Sequence, residues 1–370
     1  MSLAYQDVLA DNPTPAEIAS GDLWVSIVIP MRNEERFIGK CLDSILANDF
    51  PADAYEVLVV DGSSNDKSRE IVQAKLSASP AIRLLHNRRQ TTPIGLNIGI
   101  QQARGSYIIR MDAHADYPPD YIRNCVAELE RTGAENVGGT LITKPGADTL
   151  VARGIALMTQ SSAGVGNSAY RIGAADRYVD TVPFGAFRRT LFADIGLFRE
   201  DLDRSQDFEM NARIRQAGGR IYLSPIIRST YYNVPTYARF MKQGWRNGLW
   251  VSRTWLRYPT TFCWRHAAPL ALVTAGFLPL LLSLAYRKAA WGSGLVLGMY
   301  LCVLASSALR IVFSTNRRLM TVVPFLMCSY HFTYGVATLV GLFTSGRRKY
   351  AHRQPTRLLV ESQRAASGSQ

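Results

Sequence analysis

The chain has 370 residues, 47% of them hydrophobic and 19% charged, with a formal net charge of +13. This excludes a chain too small to bury a core and leaves room for one large or two ordinary domains. Seventeen of the 42 Lys and Arg, but only one acid, Glu361, follow Tyr232; that stretch therefore carries +16 and the residues before it −3. Five scattered cysteines, Cys41, Cys125, Cys263, Cys302 and Cys328, lack metal-binding spacing and are read as reduced thiols.

Residues 1–22 are acidic and lack an apolar stretch, so no secretory signal is expected and the first domain is assigned to the cytoplasm. Val25 to Pro30 is a β-branched apolar run, followed by Arg32-Asn33-Glu34-Glu35 and by Ile38, Cys41, Leu42 and Ile45 at helical spacing. Glu56 to Val60 predicts a second buried strand, ending in the turn-rich Asp61-Gly62-Ser63-Ser64-Asn65-Asp66 before a helix near Lys67. Ile82 to Leu85 predicts a third strand, and Thr92-Pro93 opens a helix running to about Arg104. A fourth strand, Ser106 to Met111, delivers Asp112. Such alternation implies a mostly parallel α/β sheet whose ligands bind beyond the carboxyl ends of its strands, where Asp61 and Asp112 both fall. Met31-Arg32-Asn33 stands where a dinucleotide-binding fold would need glycines. Gly164 to Ala169 mimics that fingerprint far from the first strand and is read as a flexible loop.

Asp112-Ala-His114 aims a carboxylate and an imidazole at one point, as a divalent cation bridging phosphates requires. Imidazole suits Mn²⁺ better than Mg²⁺. The competing reading is an ordinary capping aspartate at a strand end. Asp207, opening a predicted helix to Ala217 before Gly218-Gly219, is either an N-terminal cap or a general base. Thr181 to Gly185 is expected to floor an acceptor site or to form a plain buried strand.

The motifs Val25 to Pro30 with Asn33-Glu34, Val59-Val60-Asp61 through Asp66, and Asp112-Ala-His114 resemble, in order, those of the family 2 glycosyltransferases over about Leu23 to Tyr232. The resemblance implies a GT-A fold, Rossmann-like with a mostly parallel sheet, and an inverting sugar transfer. It implies that Pro30, Asn33 and Glu34 border the nucleotide, that Asp61 contacts uracil or ribose, that Asp112 holds a metal diphosphate, and that Asp207 is the base. His114 replaces the second aspartate of many members, leaving His114 or Asp116 as the second metal ligand. Gln206-Asp207 stands where Glu-Asp is usual. Gln243, Trp245 and Arg246 partly match the Gln-x-x-Arg-Trp motif of acceptor and diphosphate binding, with Asn247 in place of its tryptophan.

Tyr237 to Tyr258 interleaves Trp245, Trp250 and Trp255 with five cations and no acid, which suits a helix in the membrane interface better than a nucleic-acid surface. Ala267 to Tyr286, Ala289 to Leu309 and Leu319 to Gly346 are uncharged and long enough to cross a bilayer, although three buried core helices would read alike. Cations flank every span, so charge does not choose an orientation. The expected organisation is an N-terminal extension (1–22), a GT-A domain (23–232), an amphipathic interface segment (233–266), a transmembrane region of about three spans (267–346) and a basic tail (347–370). The expected function is metal-dependent (Mn²⁺ or Mg²⁺) transfer of one hexose from a UDP-sugar, with UDP-glucose leading, to a lipid-linked, polyprenyl diphosphate saccharide in surface polysaccharide synthesis. The expected location is the inner membrane, against membrane lipid, with no nucleic-acid partner. The alternatives are a polyprenyl-phosphate sugar synthase and a non-catalytic scaffold.

Overall fold

The computed structural model describes residues 24–344 apart from 78, 167, 174–175, 285 and 315–317. The expected N-terminal extension and basic tail lie outside the described residues. The strands are β1 (Val25–Met31), β2 (Tyr55–Asp61), β3 (Ile82–His86), β4 (Tyr107–Arg110), β5 (Ala115–Asp116), β6 (Asn136–Lys144), β7 (Arg177–Tyr178), β8 (Ala186–Arg188) and β9 (Ile221–Tyr232). The longer helices are α1 (Ile38–Leu46), α2 (Ser68–Leu76), α3 (Thr92–Gln102), α4 (Tyr121–Thr132), α5 (Leu150–Thr159), α6 (Gln206–Gln216), α7 (Tyr237–Arg257), α8 (Trp264–Leu282), α9 (Ala289–Ser314) and α10 (Leu319–Thr344).

These elements fall into two compact units. Described residues up to Leu141 and from Gly173 to Thr230 form the first; those from Ile142 to Ile172 and from Tyr231 onward form the second. Residues 142–172, expected within the GT-A domain, thus pack with the C-terminal helices.

A nine-stranded sheet runs in the order β3-β2-β1-β4-β8-β6-β9-β5, with β7 beside β9. Its first four strands are parallel, and β8 pairs antiparallel to both β4 and β6. β1 and β2 bury nearly every side chain, which is why they read as unbroken apolar runs rather than alternating ones. Near the start of β2, the buried Glu56 accepts from Ser26 Oγ at 2.8 Å, Arg104 N at 2.8 Å and Arg83 Nη1 at 2.9 Å. Because β1 and β2 pair with Met31 opposite Asp61, the loops that follow them emerge side by side.

In the second unit, Ile155 and Met158 of α5 join Phe240, Leu304, Leu319, Val323, Leu326 and Met327 in one apolar core. Helix α7, expected at the membrane interface, lays one face on α10. A side chain at Gly244 would meet Tyr330 at 2.9 Å, and one at Gly248 would meet the Tyr334 carbonyl at 2.3 Å. This spacing of small residues permits the backbones to approach closely. Gly164 to Ala169 is expected as a flexible loop; of its described residues, 164–165 and 169 belong to short helical turns (162–165 and 169–172), and the Gly164 carbonyl lies 3.1 Å from His331 Nε2. The three apolar helices, Trp264–Leu282, Ala290–Leu309 and Leu319–Thr344, are each long and apolar enough to cross a membrane. They expose large side chains, among them Leu281, Leu282, Trp291, Leu295 and Phe325.

Candidate active site

The loops after β1 and β2 are stitched together by reciprocal side-chain to backbone bonds. Asn33 N donates to Ser64 Oγ at 3.0 Å, and Asn65 N to Asn33 Oδ1 at 2.9 Å. Glu34 N donates to Ser68 Oγ at 2.7 Å, and Glu35 N to Asp66 Oδ2 at 3.1 Å. Asn33 and Ser63 hold φ of 58° and 57°, a left-handed conformation that non-glycine residues adopt only where the surroundings fix them. Asp61, at the end of β2, accepts from Ser64 N at 3.0 Å through Oδ1; its Oδ2 is buried with no hydrogen-bond partner, with Arg69 at 3.7 Å. A buried carboxylate oxygen left without a donor is the arrangement a ligand N–H or O–H completes. Pro30 pairs with Val60 within the sheet just ahead of these loops.

The end of β4 carries a residue the sequence reading missed. Arg110, with a side chain only 9% exposed, donates through Nη1 to Asp207 Oδ2 and through Nη2 to Asp112 Oδ1 at 3.0 Å. One guanidinium therefore holds both carboxylates, each by a charge-assisted bond. Its Nε is buried with no partner, and its Cζ lies 6.0 Å from the centre of the Phe184 ring. The signal was available: Tyr107-Ile-Ile-Arg110 puts a lone cation at the end of an otherwise apolar strand. Next along the chain, His114 Nδ1 lies 3.2 Å from Glu34 Oε1, while Asp116 accepts from Lys40 Nζ at 2.6 Å. Among the described residues, no three His, Cys, Asp or Glu side chains gather into a metal cluster.

Asp207 sits in the first turn of α6, which begins and ends one residue earlier than the expected Asp207 to Ala217 and so places Asp207 second in the helix. Its carboxylate does not cap the helix: the capping position is Ser205, in a left-handed conformation at φ 65° with no side-chain cap bond. Four residues on, and so on the same face, Asn211 anchors the helix. Its Oδ1 accepts from Asn136 Nδ2 at 2.7 Å, and its Nδ2 donates to Thr181 Oγ1 at 2.8 Å, all three residues being buried. Thr181 to Gly185 is neither a strand nor smooth: the strand begins only at Ala186, and Phe184 is held at φ 46°. A side chain at Gly185 would lie 2.4 Å from Asn136 Oδ1, so glycine is required for this close approach.

The charges of the site act on one another. Burial pushes the Asp207 carboxyl above its ordinary range, against the opposing pull of Arg110 and with a smaller push from Asp112. Burial disfavours a charged His114, but the bond to Glu34 and the charge of Asp112 outweigh it and raise the imidazole. A carboxylate shifted toward neutrality is better matched to taking a proton from a hydroxyl.

The first unit thus brings Asp112, Asp207 and Arg110 into direct contact, places His114 against Glu34, and sets Asn33 and Asp61 in the adjoining loops. Gln243, Trp245 and Arg246 belong to α7 of the second unit and are not part of this constellation. There, Trp245 and Arg246 are exposed and the Gln243 Oε1 is buried without a partner. Asn247, where the motif has tryptophan, donates to the Tyr330 hydroxyl at 3.2 Å.

The profile of the family described as glycosyl transferase family 2 matches residues 26–196. The chain is 28% identical over 320 residues to the dolichyl N-acetyl-α-D-glucosaminyl phosphate 3-β-D-2,3-diacetamido-2,3-dideoxy-β-D-glucuronosyltransferase of Methanococcus voltae, covering 83% of this chain and 94% of that protein. It is also 28% identical to the succinoglycan biosynthesis protein ExoA of Rhizobium meliloti, over 69% of this chain and 77% of ExoA. Among solved structures, the mannosyltransferase PcManGT of Pyrobaculum calidifontis, determined with GDP-Man and Mn²⁺, superposes with a TM-score of 0.54 at 18% identity, covering 94% of this chain and 95% of that one. The match across residues 26–196 gives this chain a glycosyl transferase family 2 domain, and the sheet order with the superposition on PcManGT shows its GT-A fold.

Proposed function

We propose that the protein is an inverting, metal-dependent hexosyltransferase that moves one sugar from a UDP-sugar, UDP-glucose leading, to a lipid-linked saccharide at the inner membrane, for surface polysaccharide assembly. The observation that carries this reading is the Asp112–Arg110–Asp207 bridge, which puts a donor-side carboxylate and an acceptor-side carboxylate within the span of one guanidinium.

Asp207 takes the proton of the acceptor hydroxyl as that oxygen attacks the anomeric carbon and the bond to the diphosphate breaks. Arg110 keeps Asp207 fixed and charged before the acceptor arrives. Asn211, through Asn136 and Thr181, keeps the helix carrying Asp207 from shifting. Asp61, with its unsatisfied Oδ2, receives the nucleoside, and Pro30, Asn33 and Glu34 frame it.

A carboxylate and an imidazole two residues apart would suit a divalent ion bound together with the nucleotide. Asp112 would supply a carboxylate, and Glu34 fixes the His114 ring through Nδ1, as a carboxylate does when it orients a metal-binding histidine. Asp116, already paired with Lys40, is the weaker candidate. When bound, the ion neutralises charge on the departing diphosphate. Gln243, Trp245 and Arg246 are read as acceptor-side groups of the second unit.

The activity of the Methanococcus voltae relative, transfer to a dolichyl-linked sugar phosphate, supports a saccharide acceptor over the bare lipid phosphate that a polyprenyl-phosphate sugar synthase would use. The test is Asp207→Asn: UDP binds as in the wild type, while transfer slows by about 10² to 10⁴, the usual worth of a general base. Near-normal turnover removes Asp207 from the role.

A further inference from the structure

The second unit contains a buried cation with no counter-charge. Arg171 Nη1 is buried without a hydrogen-bond partner, and its guanidinium makes no ion pair among the described residues. It lies against two rings, 5.4 Å from Tyr170 and 5.6 Å from Tyr231, with Tyr330 within electrostatic reach. Stacking on tyrosine returns part of what burial costs a guanidinium, but a buried charge is normally matched by an anion. The unit cannot provide one: its sole carboxylate among the described residues is Asp148, which is largely exposed and paired with Arg153.

The turn carrying Arg171 is tied to the preceding turn through Ser168, whose carbonyl accepts from Arg171 N at 2.8 Å and whose Oγ donates to the Val165 carbonyl at 3.1 Å. That preceding turn is packed in its own right: His331 of α10 reaches the Gly164 carbonyl, and a side chain at Gly166 would meet Arg265 at 2.8 Å. Tyr330 links this turn to α7, where it stacks on Phe240 and accepts from Asn247. A rigid, unneutralised guanidinium beside helices apolar enough to lie in lipid is suited to an anion that arrives on a lipid.

We infer that Arg171, flanked by Tyr170 and Tyr231, forms a binding site for a phosphate group carried on a polyprenyl lipid. Such a group offers oxygens to the guanidinium fork, and its isoprenoid tail leaves toward the apolar helices. This deepens the proposed function and rests on it, since the phosphate is that of the lipid-linked acceptor.

The test uses the full chain in nanodiscs of neutral phosphatidylcholine, titrated with undecaprenyl phosphate, phosphatidylglycerol or inorganic phosphate and followed by intrinsic fluorescence. Wild type is expected to bind undecaprenyl phosphate saturably, Arg171→Gln at least about tenfold more weakly, and Arg171→Lys between them, because lysine keeps the charge and loses the fork. Equal affinity in Arg171→Gln overturns the site, as does equal binding of phosphatidylglycerol or of inorganic phosphate alone. If the glutamine variant does not fold, affinity in Arg171→Lys equal to wild type is the overturning result. UDP affinity, measured in parallel, is expected to be unchanged in Arg171→Gln. If wild type fails to bind UDP, the transferase reading falls, while a loss of lipid-phosphate binding in Arg171→Gln still supports the site.

Discussion

Replacing Arg110 with methionine removes the cation that joins Asp112 to Asp207 while keeping most of the side-chain volume. Breaking a buried ion pair from one side costs roughly 3–5 kcal/mol, because the remaining charge is left uncompensated. Here two carboxylates are left, but the Asp207 side chain is 32% exposed and that of Asp112 19%, so water takes up part of the loss. With that screening the expected destabilisation is about 2 kcal/mol. Activity is expected to fall further, by about 10², because an unheld carboxylate no longer points at the acceptor hydroxyl. A double-mutant cycle with Asp207→Asn separates position from structure. At saturating donor, if Arg110 acts through Asp207, the double variant turns over within about threefold of Asp207→Asn alone. UDP release in detergent-solubilised enzyme, with a thermal melt of each variant, supplies the four rates. Multiplication of the two single losses would mean that Arg110 does not work through the base, and the argument from the bridge would be refuted.

The other expectations are independent of that cycle. UDP binding by calorimetry is expected to strengthen with Mn²⁺ and to lose that dependence in Asp112→Ala; equal affinity in all three conditions counts against Asp112 as a ligand. Burial raises the Glu56 carboxyl, but the bonds from Arg104, Arg83 and Ser26 outweigh it and hold it below its ordinary value. Its stabilisation is therefore present above the unfolded pKa, about 4.3, and lost as pH falls through the lower folded value. Wild type should melt above Glu56→Gln at pH 7, with the gap closing in acid; a gap constant down to pH 2 contradicts the assignment. Gly248→Leu should destabilise the second unit, since even its Cβ would sit 2.3 Å from the Tyr334 carbonyl. A variant melting with wild type would mean that α7 and α10 do not pack this way.

The first four strands were legible because β1 and β2 are buried along their length and write unbroken apolar runs, each ending in turn-forming residues. Asp61 and Asp112 could be placed at the ligand edge for the same reason: a parallel sheet fixes which strand ends meet. Arg110 stands out in the sequence only as a lone cation closing an apolar strand; its role was not legible, because its two partners are 2 and 97 residues away and only tertiary folding reveals the second. The left-handed backbone at Phe184 and Ser205 carries no sequence signal, since neither is the glycine or asparagine usual there. Residues 142–172 read as part of the α/β domain because the motif resemblance runs from about Leu23 to Tyr232 and so takes in the helix Leu150–Thr159. Which core it joins depends on Leu326 and Val322, far along the chain and 2.9 and 3.0 Å from a side chain at Gly154. The tryptophans of α7 drew attention to the membrane interface, while Gly244, Gly248 and Ser252, which set its packing face, passed unread.

The central claim, single transfer from a UDP-sugar to a lipid-linked saccharide, is tested most directly by incubating membranes containing the protein with labelled UDP-sugars. The lipid fraction is then analysed by mass spectrometry after exhaustive reaction with excess donor. The account predicts one lipid-linked product heavier than its acceptor by a single hexose, formed from UDP-glucose and absent with Asp207→Asn. A ladder of two or more added sugars, or label that never enters the lipid fraction, would contradict it.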